Sequence, residues 1–597
     1  MPSTNSSLES LFSQAVSLHG AGELEAAEAL YRSLLIQAPE QAPIHINLGM
    51  LLQRTSRGEE AAGHFREAAR LRPDLPEPHN NLGVALQALG HLDEAALFFR
   101  KAITLKPDMA EAHRNLGIAL KAMGELDEAA GSLMQAAVLR PGHGETWSEL
   151  GRTLYELKQY AEAADSYGRA LELNPQSPEI LNDLGAALDD AGRKDDAITA
   201  FRKAIALRPD FPNPYNNLGN IFEELGRLDD AEAVFRQAAA LNPHLAEVHS
   251  NLGNILMERR QIDEAVDCYR RAIALKPDFF EAHVHLGMAL LTLGQFEEGW
   301  REWEWRWITR DWLKPSPEFR RPLAMGERLD GKTVLLFAEQ GFGDVLQFGR
   351  YASLLAERGA KVVMKVYPAL LRLMRSLPGP VQVIAEGEPE PPHDLRLPMM
   401  SAPFVFSTRP DSVPAADRYL TTDPKAVRQW QQRLAELPGL KVGLVWAGDP
   451  RPHDHGAHLV DKRRSLALEQ FRELGTIPGI SWVSLQKGDP ARQPPPDGMK
   501  LLDVMDDMTD FADTAALVAC LDLVITADTA MAHLAGALGK PVWVLSRFDG
   551  CWRWMEDRSD SPWYPESLRL FRQPAPGDWR PALAQILQSL TLLSERS

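Results

Sequence analysis

The chain contains very little cysteine. Its 597 residues include three cysteines, Cys268, Cys520 and Cys551, which are far apart in the sequence and form no CxxC pair. Thiols this few and this scattered support neither a disulfide framework nor a zinc site. The composition is typical of a reducing compartment, and we expect a cytoplasmic protein.

Long apolar runs and an excess of positive charge are also missing. No stretch approaches the ~20 apolar residues that cross a bilayer, so we expect no membrane insertion. The first residues, "MPSTNSSLESLFSQAVSLHG", lack a basic segment followed by an apolar one, which argues against a secretory leader. The formal net charge of −18 argues against a nucleic-acid partner, because a phosphate backbone would be repelled at long range. The motifs GxSxG, HExxH and the P-loop are absent too.

A strict repeat fills the first half of the chain. At 45% hydrophobic residues, the chain is long and apolar enough for at least two folding units. Leu-Gly recurs every 34 residues, at 48/49, 82/83, 116/117, 150/151, 184/185, 218/219, 252/253 and 286/287. Proline keeps this step from Pro39 to Pro277, and alanine keeps it from Ala61 to Ala265. The pattern resembles the tetratricopeptide repeat, a pair of antiparallel helices in which small residues allow close approach and proline ends the second helix.

The resemblance covers residues 7–310 and implies an α-solenoid of about nine repeats with a long concave surface. Residues 7–40 lack the Leu-Gly, and we interpret them as a capping repeat. At the other end, residues 296–319 hold five of the chain's 14 tryptophans. Phe296, Trp300, Trp303 and Trp307 fall on one helical face, which predicts a last helix packed against the next domain and ending at the prolines 315, 317 and 322.

Amide or acidic side chains stand just before most Leu-Gly pairs. The residues at this position are Asn47, Asn81, Asn115, Glu149, Asp183, Asn217, Asn251 and His285. In the protein O-linked N-acetylglucosamine transferases, which this half resembles, an asparagine ladder here holds an extended peptide. An amide both donates and accepts, so a row of amides can match a peptide backbone without reading its side chains.

The ladder leaves two readings open. The predicted acceptor-binding residues are Asn81, Asn115, Asp183, Asn217 and Asn251. Alternatively, the asparagines only satisfy turn and inter-repeat backbone groups. If the groove is used, the acidic Glu149 and Asp183 would favour a hydroxyl-rich or basic stretch of the guest.

The second half alternates short apolar strands with helices, the pattern of parallel sheets covered on both faces. After a linker at 311–330, we predict two doubly wound units, 331–438 and 439–597. Expected strands lie at 333–339, 360–366, 381–387, 441–448, 480–488, 521–528 and 541–546. Expected helices lie near 344–358, 424–437, 466–475, 509–520 and 529–539. Two such α/β units suggest the GT-B architecture, in which ligands bind beyond the carboxyl ends of the strands.

The strongest candidate site is "LVITADTAMAHLAGALGKPVWVL", residues 523–545. A buried strand runs into Asp528, Thr529 and Ala530, and a helix of small residues begins at once. Its free N–H groups and its dipole would bind an anion, and His533 would project over the same turn. Asp528 or Thr529 is also expected to cap the helix, with His533 packed in the crevice. Capping does not exclude a phosphate.

This segment resembles the donor-site motif of the lipopolysaccharide heptosyltransferase family, in which Asp-Thr-Gly, two residues and His precede a helix and "GKPVV". The family also carries Gly-Asp-Val-Leu, here residues 343–346. The resemblance implies that Asp344 is the general base, that Arg464 contacts donor phosphate, and that no metal or cofactor is needed beyond the nucleotide-sugar. Ala530 replaces the family's glycine, and a strained backbone angle there would be costly.

The combination of repeats and α/β units narrows the resemblance. With "EQGFGDVLQFGRY", "VGLVWAGDP", "WVSLQKG" and "SPWYP", it resembles bacterial protein glycosyltransferases, among them the flagellin glycosyltransferases. That implies flagellin held by the repeats and a sugar, such as a nonulosonic acid, transferred to Ser or Thr. The alternatives are a heptosyltransferase-like enzyme acting on a glycolipid or saccharide, a scaffold with an inactive transferase domain, and a different protein acceptor.

Three other segments need interpretation. "EQGFGDVL" is no dinucleotide fingerprint, because Leu346 replaces the third glycine; Gly341 and Gly343 instead let the turn pass close to a substrate. We predict both glycines, with Gln486 of "WVSLQKG", among the donor-binding residues. "DPRPHDHGAHLVDKRRS" is interpreted as a Gly/Pro-broken flap over the donor rather than a histidine metal cluster, and "DVMDD" (503–507) as a loop.

Overall fold

The computed structural model describes residues 3–307, 328–414, 418–451, 453 and 455–596. The chain divides into two compact units, Met1–Pro243 and His244–Ser597. The division falls inside the repeat array, so the last repeats group with the α/β region. Most of the predicted linker at 311–330, with its prolines, lies outside the described residues.

The first unit consists of antiparallel helix pairs. Its helices are α1 (Ser3–Ala21), α2 (Leu24–Gln37), α3 (Ala42–Arg54), α4 (Gly58–Leu71), α5 (Pro76–Ala88), α6 (Leu92–Leu105), α7 (Ala110–Met123), α8 (Leu126–Leu139), α9 (Gly144–Glu156), α10 (Tyr160–Leu173), α11 (Pro178–Asp190), α12 (Lys194–Leu207), α13 (Pro212–Glu224) and α14 (Leu228–Leu241). The second unit begins with two more pairs: α15 (Ala246–Glu258), α16 (Ile262–Leu275), α17 (Phe280–Thr292) and α18 (Phe296–Trp303). These pairs confirm the predicted tetratricopeptide solenoid.

The Leu-Gly glycines make the pairs close. A Cβ on Gly49 would lie 2.7 Å from the Phe65 ring, and one on Gly83 would lie 2.6 Å from the Phe99 ring. The aromatic ring on the second helix therefore occupies the space that a side chain on the first would need. This confirms the predicted role of the small positions, which is to let the two helices of a pair approach closely.

A second periodic contact was not predicted. In six repeats, the residue two positions before the ladder position donates a hydrogen bond to the carbonyl of the proline that ends the preceding repeat. The donors, at 2.9–3.2 Å, are His45, His79, His113, Trp147, Tyr215 and His283. The bond satisfies a carbonyl group at the end of one repeat, and it joins that repeat to the next one.

The second unit continues as two parallel sheets. Its elements are β1 (Thr333–Phe337), α19 (Phe342–Phe348), α20 (Tyr351–Glu357), β2 (Lys361–Val366), α21 (Leu371–Met374), β3 (Val381–Ala385), β4 (Leu395–Pro398), α22 (Ala402–Val405), α23 (Pro424–Arg433), β5 (Leu440–Val445), α24 (His455–Arg464), β6 (Ile480–Ser484), β7 (Leu501–Asp503), α25 (Phe511–Ala519), β8 (Leu523–Ala527), α26 (Ala530–Ala537), β9 (Val542–Ser546), β10 (Leu568–Arg572) and α27 (Arg580–Ser594).

The sheet orders are β3-β2-β1-β4 and β10-β9-β8-β5-β6-β7. Every strand pair is parallel; for example, Val334 pairs with Val362 and with Leu395. The order reverses beside β1 in the first sheet and beside β5 in the second. Two parallel sheets of this kind confirm the GT-B-like fold class, and they place the binding crevices at the carboxyl ends of these central strands.

Some predicted elements were wrong in detail. The helix expected at 344–358 is two short helices, α19 and α20, and the helix expected at 466–475 is replaced by 3-10 turns at Leu468–Phe471 and Leu474–Thr476. The strands β4 and β10 were missed. β10, "LRLFR", is an edge strand that carries two arginines among its apolar residues, so it lacks the run of apolar residues on which the strand predictions were based.

The tryptophan-rich end of the repeats packs within the second unit as predicted. Trp300 and Trp303 are buried in the same core as Trp552 and Trp563, and Trp300 Nε1 donates to the Thr408 carbonyl at 3.2 Å. Nearby, the buried Arg306 forms a bidentate ion pair with Glu339, two residues after the end of β1. The repeat end therefore fixes the position of β1. Within the described residues, no helix combines the length and apolarity that crossing a membrane requires.

Candidate active site

The turn between β1 and α19 carries the predicted base. α19 begins after Gly341, whose φ of −66° and ψ of 170° are extended backbone, so Asp344 lies in the first helical turn. Among the described residues, a Cβ on Gly341 would meet only Asp344 Oδ2, at 3.6 Å. The glycine therefore leaves open space beside the carboxylate, as a residue next to a bound substrate would.

Asp344 forms an ion pair with Arg553, a residue that was not predicted to belong to the site. Its Oδ1 accepts from Arg553 Nη2, and both side chains are 14% exposed. Arg553 Nε donates to Gln347 Oε1 at 2.9 Å, and its guanidinium lies over the Trp552 ring at 4.4 Å. Burial alone would lower the pKa of Arg553, but the neighbouring Asp344 carboxylate outweighs it, and the pKa of Arg553 is raised. Arg553 therefore remains charged.

The turn between β8 and α26 carries the predicted donor site. Thr529 is the N-cap: its Oγ1 accepts from the Met531 N–H at 3.3 Å and lies 3.1 Å from Thr526 Oγ1. Thr529, rather than Asp528, therefore caps the helix. Ala530 has no positive φ, so the alanine fits without strain where the heptosyltransferase motif has glycine. The small residues at the start of α26 leave its N-terminus accessible to an anion.

The structure brings these two turns together. A Cβ on Gly343 would lie 2.9 Å from His533 Cδ2 and 3.5 Å from Ala530 Cα, so glycine allows α19 to touch α26. His533 is buried at 5% exposure, lies 3.2 Å from the Tyr564 hydroxyl through Nδ1, and stacks on Trp554. Burial, with Arg553 and Arg350 nearby, lowers the pKa of His533.

His533 is therefore packed, as one of the two interpretations expected, and Gly343 has a packing role that was not predicted. They form the contact between α19 and α26 and fix the separation of the two turns. Their predicted contact with a donor is a proposal that this geometry leaves untested.

Arg464 lies at the carboxyl end of β8. Its Nη1 donates to the Asp528 carbonyl at 2.9 Å, and Asp461 Oδ1 pairs with Nη2 at 3.0 Å. Gly448 makes this arrangement possible, because a Cβ there would lie 2.0 Å from Asp461 Oδ1. A guanidinium held by Asp461 beside the N-terminus of α26 is placed to meet the same anion that the helix would bind.

Gln486 has a structural role that was not predicted. Its Oε1 accepts from the N–H groups of Trp446 and Ala447 at 3.0 and 2.9 Å, and its Nε2 donates to the carbonyls of Ala447 and Lys487 at 3.0 Å each. The residue is 3% exposed, and its amide joins the ends of β5 and β6. Its predicted contact with a donor stays a prediction.

The segment predicted as a Gly/Pro-broken loop is helical from His455 onward, as α24. The prediction gave too much weight to the prolines, which all precede the helix. His458 Nδ1 donates to the Pro450 carbonyl at 2.8 Å, and no group of three or more metal-ligating side chains occurs among the described residues. "DVMDD" continues β7 into a 3-10 turn at Met505–Asp507, in agreement with the predicted loop.

The ladder residues of the first unit are partly occupied. Asn115 Nδ2 donates to Asn80 Oδ1, and Asn217 Nδ2 donates to Asn182 Oδ1, both at 3.1 Å. Each therefore contacts an asparagine side chain of the preceding repeat, whereas the alternative expected bonds to backbone groups. The remaining predicted ladder residues, Asn81 in the first unit and Asn251 in the second, are half-buried.

The acidic part of the ladder is partly neutralised by a residue that was not predicted to act there. Arg152 pairs with Glu149 at 2.9 Å and with Asp183 at 3.5 Å. Burial raises the pKa of Asp183, and the charge of Arg152 opposes that shift. The three residues form one network, which weakens the expected preference for a basic guest.

Comparison with known proteins agrees with both halves of the fold. Residues 12–76 match the tetratricopeptide repeat, residues 75–287 match the "Cilia and flagella-associated protein 70 C-terminal domain", and residues 506–545 match "Glycosyltransferase family 9 (heptosyltransferase)". The last match contains β8 and α26 with Asp528, Thr529 and His533. It supports a glycosyltransferase.

One curated relative is Protein FlbA of Caulobacter vibrioides, which is 28% identical over 342 residues, 50% of this chain and 53% of FlbA. The match thus spans about half the length of each protein. Among solved structures, MamA is 27% identical over 27% of this chain and 95% of its own, with a TM-score of 0.27. The hetero-tetramer Cut9-Hcn1 gives 20% over 47% of this chain and 55% of its own, with a TM-score of 0.32. The chain combines tetratricopeptide repeats with a glycosyltransferase-like α/β region.

Proposed function

We propose that this chain is a nucleotide-sugar-dependent protein O-glycosyltransferase. It transfers a sugar, a nonulosonic acid in our proposal, to Ser or Thr of a flagellin held by the repeats. The observation that carries the proposal is the contact of Gly343 with Ala530 and His533, which sets the turn of Asp344 against the N-terminus of α26. One turn offers a carboxylate and the other offers an anion site, the two groups that sugar transfer to a hydroxyl requires.

The donor side of the reaction is assigned to the β8–α26 turn. The phosphate of the nucleotide-sugar lies on the N–H groups that begin α26, and Arg464 approaches it from Asp528. As the bond between the anomeric carbon and the phosphate oxygen breaks, negative charge grows on that oxygen. The helix dipole and the guanidinium stabilise this charge, so the nucleotide leaves as an anion.

The acceptor side is assigned to the β1–α19 turn. The Ser or Thr oxygen forms the new bond to the anomeric carbon, and its proton passes to a carboxylate oxygen of Asp344. No oxidant, reductant or metal ion enters this balance. Because the carboxylate is paired with Arg553, its position relative to α26 is fixed before the substrates bind.

The repeats are assigned to the acceptor protein. In the proposal, the amides of Asn81, Asn115, Asn217 and Asn251 bond the backbone of an extended segment. Such contacts hold many sequences with similar affinity, since they use donor and acceptor groups that every residue has. The choice of Ser or Thr is then made at Asp344.

The test is intact-mass analysis of candidate acceptors co-expressed with this protein in cells that make nucleotide-linked nonulosonic acids. Flagellin from the same source should gain one or more sugar masses only when the protein is present. The lipid and saccharide fractions of the same cells provide the comparison. Sugar gained only by those fractions would favour the heptosyltransferase-like alternative, and no mass gain on any fraction would favour the scaffold.

A further inference from the structure

Arg553 lies outside the motifs that suggested the function. It belongs to a 3-10 turn at Trp552–Trp554, between β9 and β10. Its guanidinium contacts two residues of α19, Asp344 and Gln347, which lie one helical turn apart. A single planar group thus fixes both the rotation of α19 and the rotamer of the Asp344 carboxylate.

The two oxygens of Asp344 are not equivalent. Oδ1 is bonded to Arg553. Within the described part of the chain, Oδ2 accepts no hydrogen bond from a protein group, and it faces the space left by Gly341. The structure therefore distinguishes Oδ1, which Arg553 holds, from Oδ2, which is accessible.

The segment that carries Arg553 is anchored to the last two helix pairs. Glu556 pairs with Arg260 at 3.2 Å, and the Glu556 N–H donates to the Thr292 carbonyl at 3.1 Å. The Trp552 ring packs edge-on against Trp300 at 5.3 Å. The position of Arg553 is thus set by α15 to α18 as much as by the sheet.

We propose that Arg553 is the positioning residue of Asp344: it holds Oδ1 and leaves Oδ2, beside Gly341, as the atom that takes the acceptor proton. The inference rests on the proposed function, because it assumes that Asp344 is the base. It adds which oxygen acts and which residue, anchored on the last repeats, keeps it in place.

The test is a double-mutant cycle of Asp344→Asn and Arg553→Met, with Arg553→Lys as the conservative variant. The assay is the initial rate of mass gain of purified flagellin in an extract of donor-producing cells. Arg553→Met should lower the rate roughly 100-fold, as expected when a catalytic group loses its geometry, and Arg553→Lys should restore about a tenth of the wild-type rate. In the Asp344→Asn background, Arg553→Met should change the residual rate by less than about twofold, because both substitutions remove the same function, the base at Asp344.

Equal losses from Arg553→Met in both backgrounds would overturn the inference and assign Arg553 a purely structural role. An unchanged rate in Arg553→Met would overturn it as well. Full activity of Asp344→Asn is a different result, because it removes the base role in the proposed function itself. Thermal midpoints and capture of flagellin, measured for every variant, identify a loss that comes from unfolding.

Gly341→Ala tests the identity of the oxygen without disturbing the ion pair. The backbone there is extended, and the new methyl would meet only Oδ2, at 3.6 Å, among the described residues, so the variant should fold normally. If Oδ2 takes the proton, the methyl obstructs the acceptor and the rate falls about 10-fold, the scale of a small displacement of a reacting group. A wild-type rate in a folded Gly341→Ala protein would contradict the assignment of Oδ2.

Discussion

The two strand–helix turns of the α/β region have the same topology but are held in place in different ways. The β8–α26 turn is stabilised by its own residues, since Thr529 caps the helix and contacts Thr526. The β1–α19 turn is held from outside, by Arg306 on Glu339 at its start and by Arg553 on Asp344 after it. An anion site needs only a helix N-terminus. The carboxylate of a general base must be held in one orientation, and here the side chain of Arg553 holds it.

The largest effect on stability is expected at the buried ion pair of Arg306 with Glu339, which holds the β1–α19 turn. Arg306→Ala leaves Glu339 buried without its cation, and such a change costs about 3–5 kcal/mol in the free energy of unfolding. Burial raises the pKa of Glu339, and Arg306 opposes that shift, so removal of Arg306 leaves a carboxyl that binds a proton more readily folded than unfolded. Stability of the variant should therefore fall as pH rises.

Chemical denaturation of Arg306→Ala and wild type between pH 5 and pH 8 measures this effect. The deficit of the variant should be smaller at pH 5 than at pH 8. Arg472→Ala, at an exposed ion pair on the same unit, is the matched control and should shift the free energy by less than about 1 kcal/mol at either pH. A deficit in the free energy of unfolding that does not depend on pH would show that the loss of stability does not come from Glu339.

The next largest effect concerns the cation of the β8 turn. Arg464→Lys keeps a positive charge but loses the fork that joins Asp528 and Asp461, and the transfer rate should fall about 10²-fold, equal to about 2.7 kcal/mol of transition-state stabilisation. Initial rates by intact mass measure the change, with Arg472→Lys as control. Equal rates for the two variants would remove Arg464 from the donor site.

Gly343→Ala tests the contact between the two turns. The new methyl would lie 2.9 Å from the buried His533 ring, so α19 and α26 must separate, and overpacking of this kind costs about 1–3 kcal/mol. Both the thermal midpoint and the transfer rate should fall. Gly63→Ala, on a helix where a Cβ meets nothing within 4 Å in the described structure, should not lower either quantity.

The smallest effect is expected at the cap of α26. Thr529→Ala removes the bond to the Met531 N–H and should cost about 1 kcal/mol in stability, while Thr529→Ser should retain most of it. Because the cap is local, neither variant should change the acceptor side of the reaction. An increase in the KM for flagellin in Thr529→Ala would show that the β8–α26 turn also affects the acceptor side of the reaction.

Periodic and local features of the chain could be predicted from the sequence. The step of 34 residues predicted the helix pairs, and the strand followed by Asp528 and small residues predicted the β8–α26 turn. In both cases, the residues that make up the pattern are the residues that form the structure. The short edge strands β4 and β10 were missed because an edge strand need not be apolar on both faces.

Contacts between distant segments could not be predicted. Asp344 and Arg553 are 209 residues apart, and Arg306 and Glu339 are 33 apart across a change of fold. No local pattern marks such pairs, since an arginine near tryptophans is as typical of a surface as of a core. The bonds of the Gln486 amide with Trp446 and Ala447, which follow β5, could not be predicted for the same reason.

The central claim is that Asp344 accepts the proton of the acceptor hydroxyl. The most direct measurement is the initial rate of flagellin mass gain for Asp344→Asn against Asp497→Asn, a fully exposed aspartate of the same unit, at matched folded concentration. We predict a loss of about 10²- to 10⁴-fold for Asp344→Asn and a wild-type rate for the control. A wild-type rate for folded Asp344→Asn would contradict the claim.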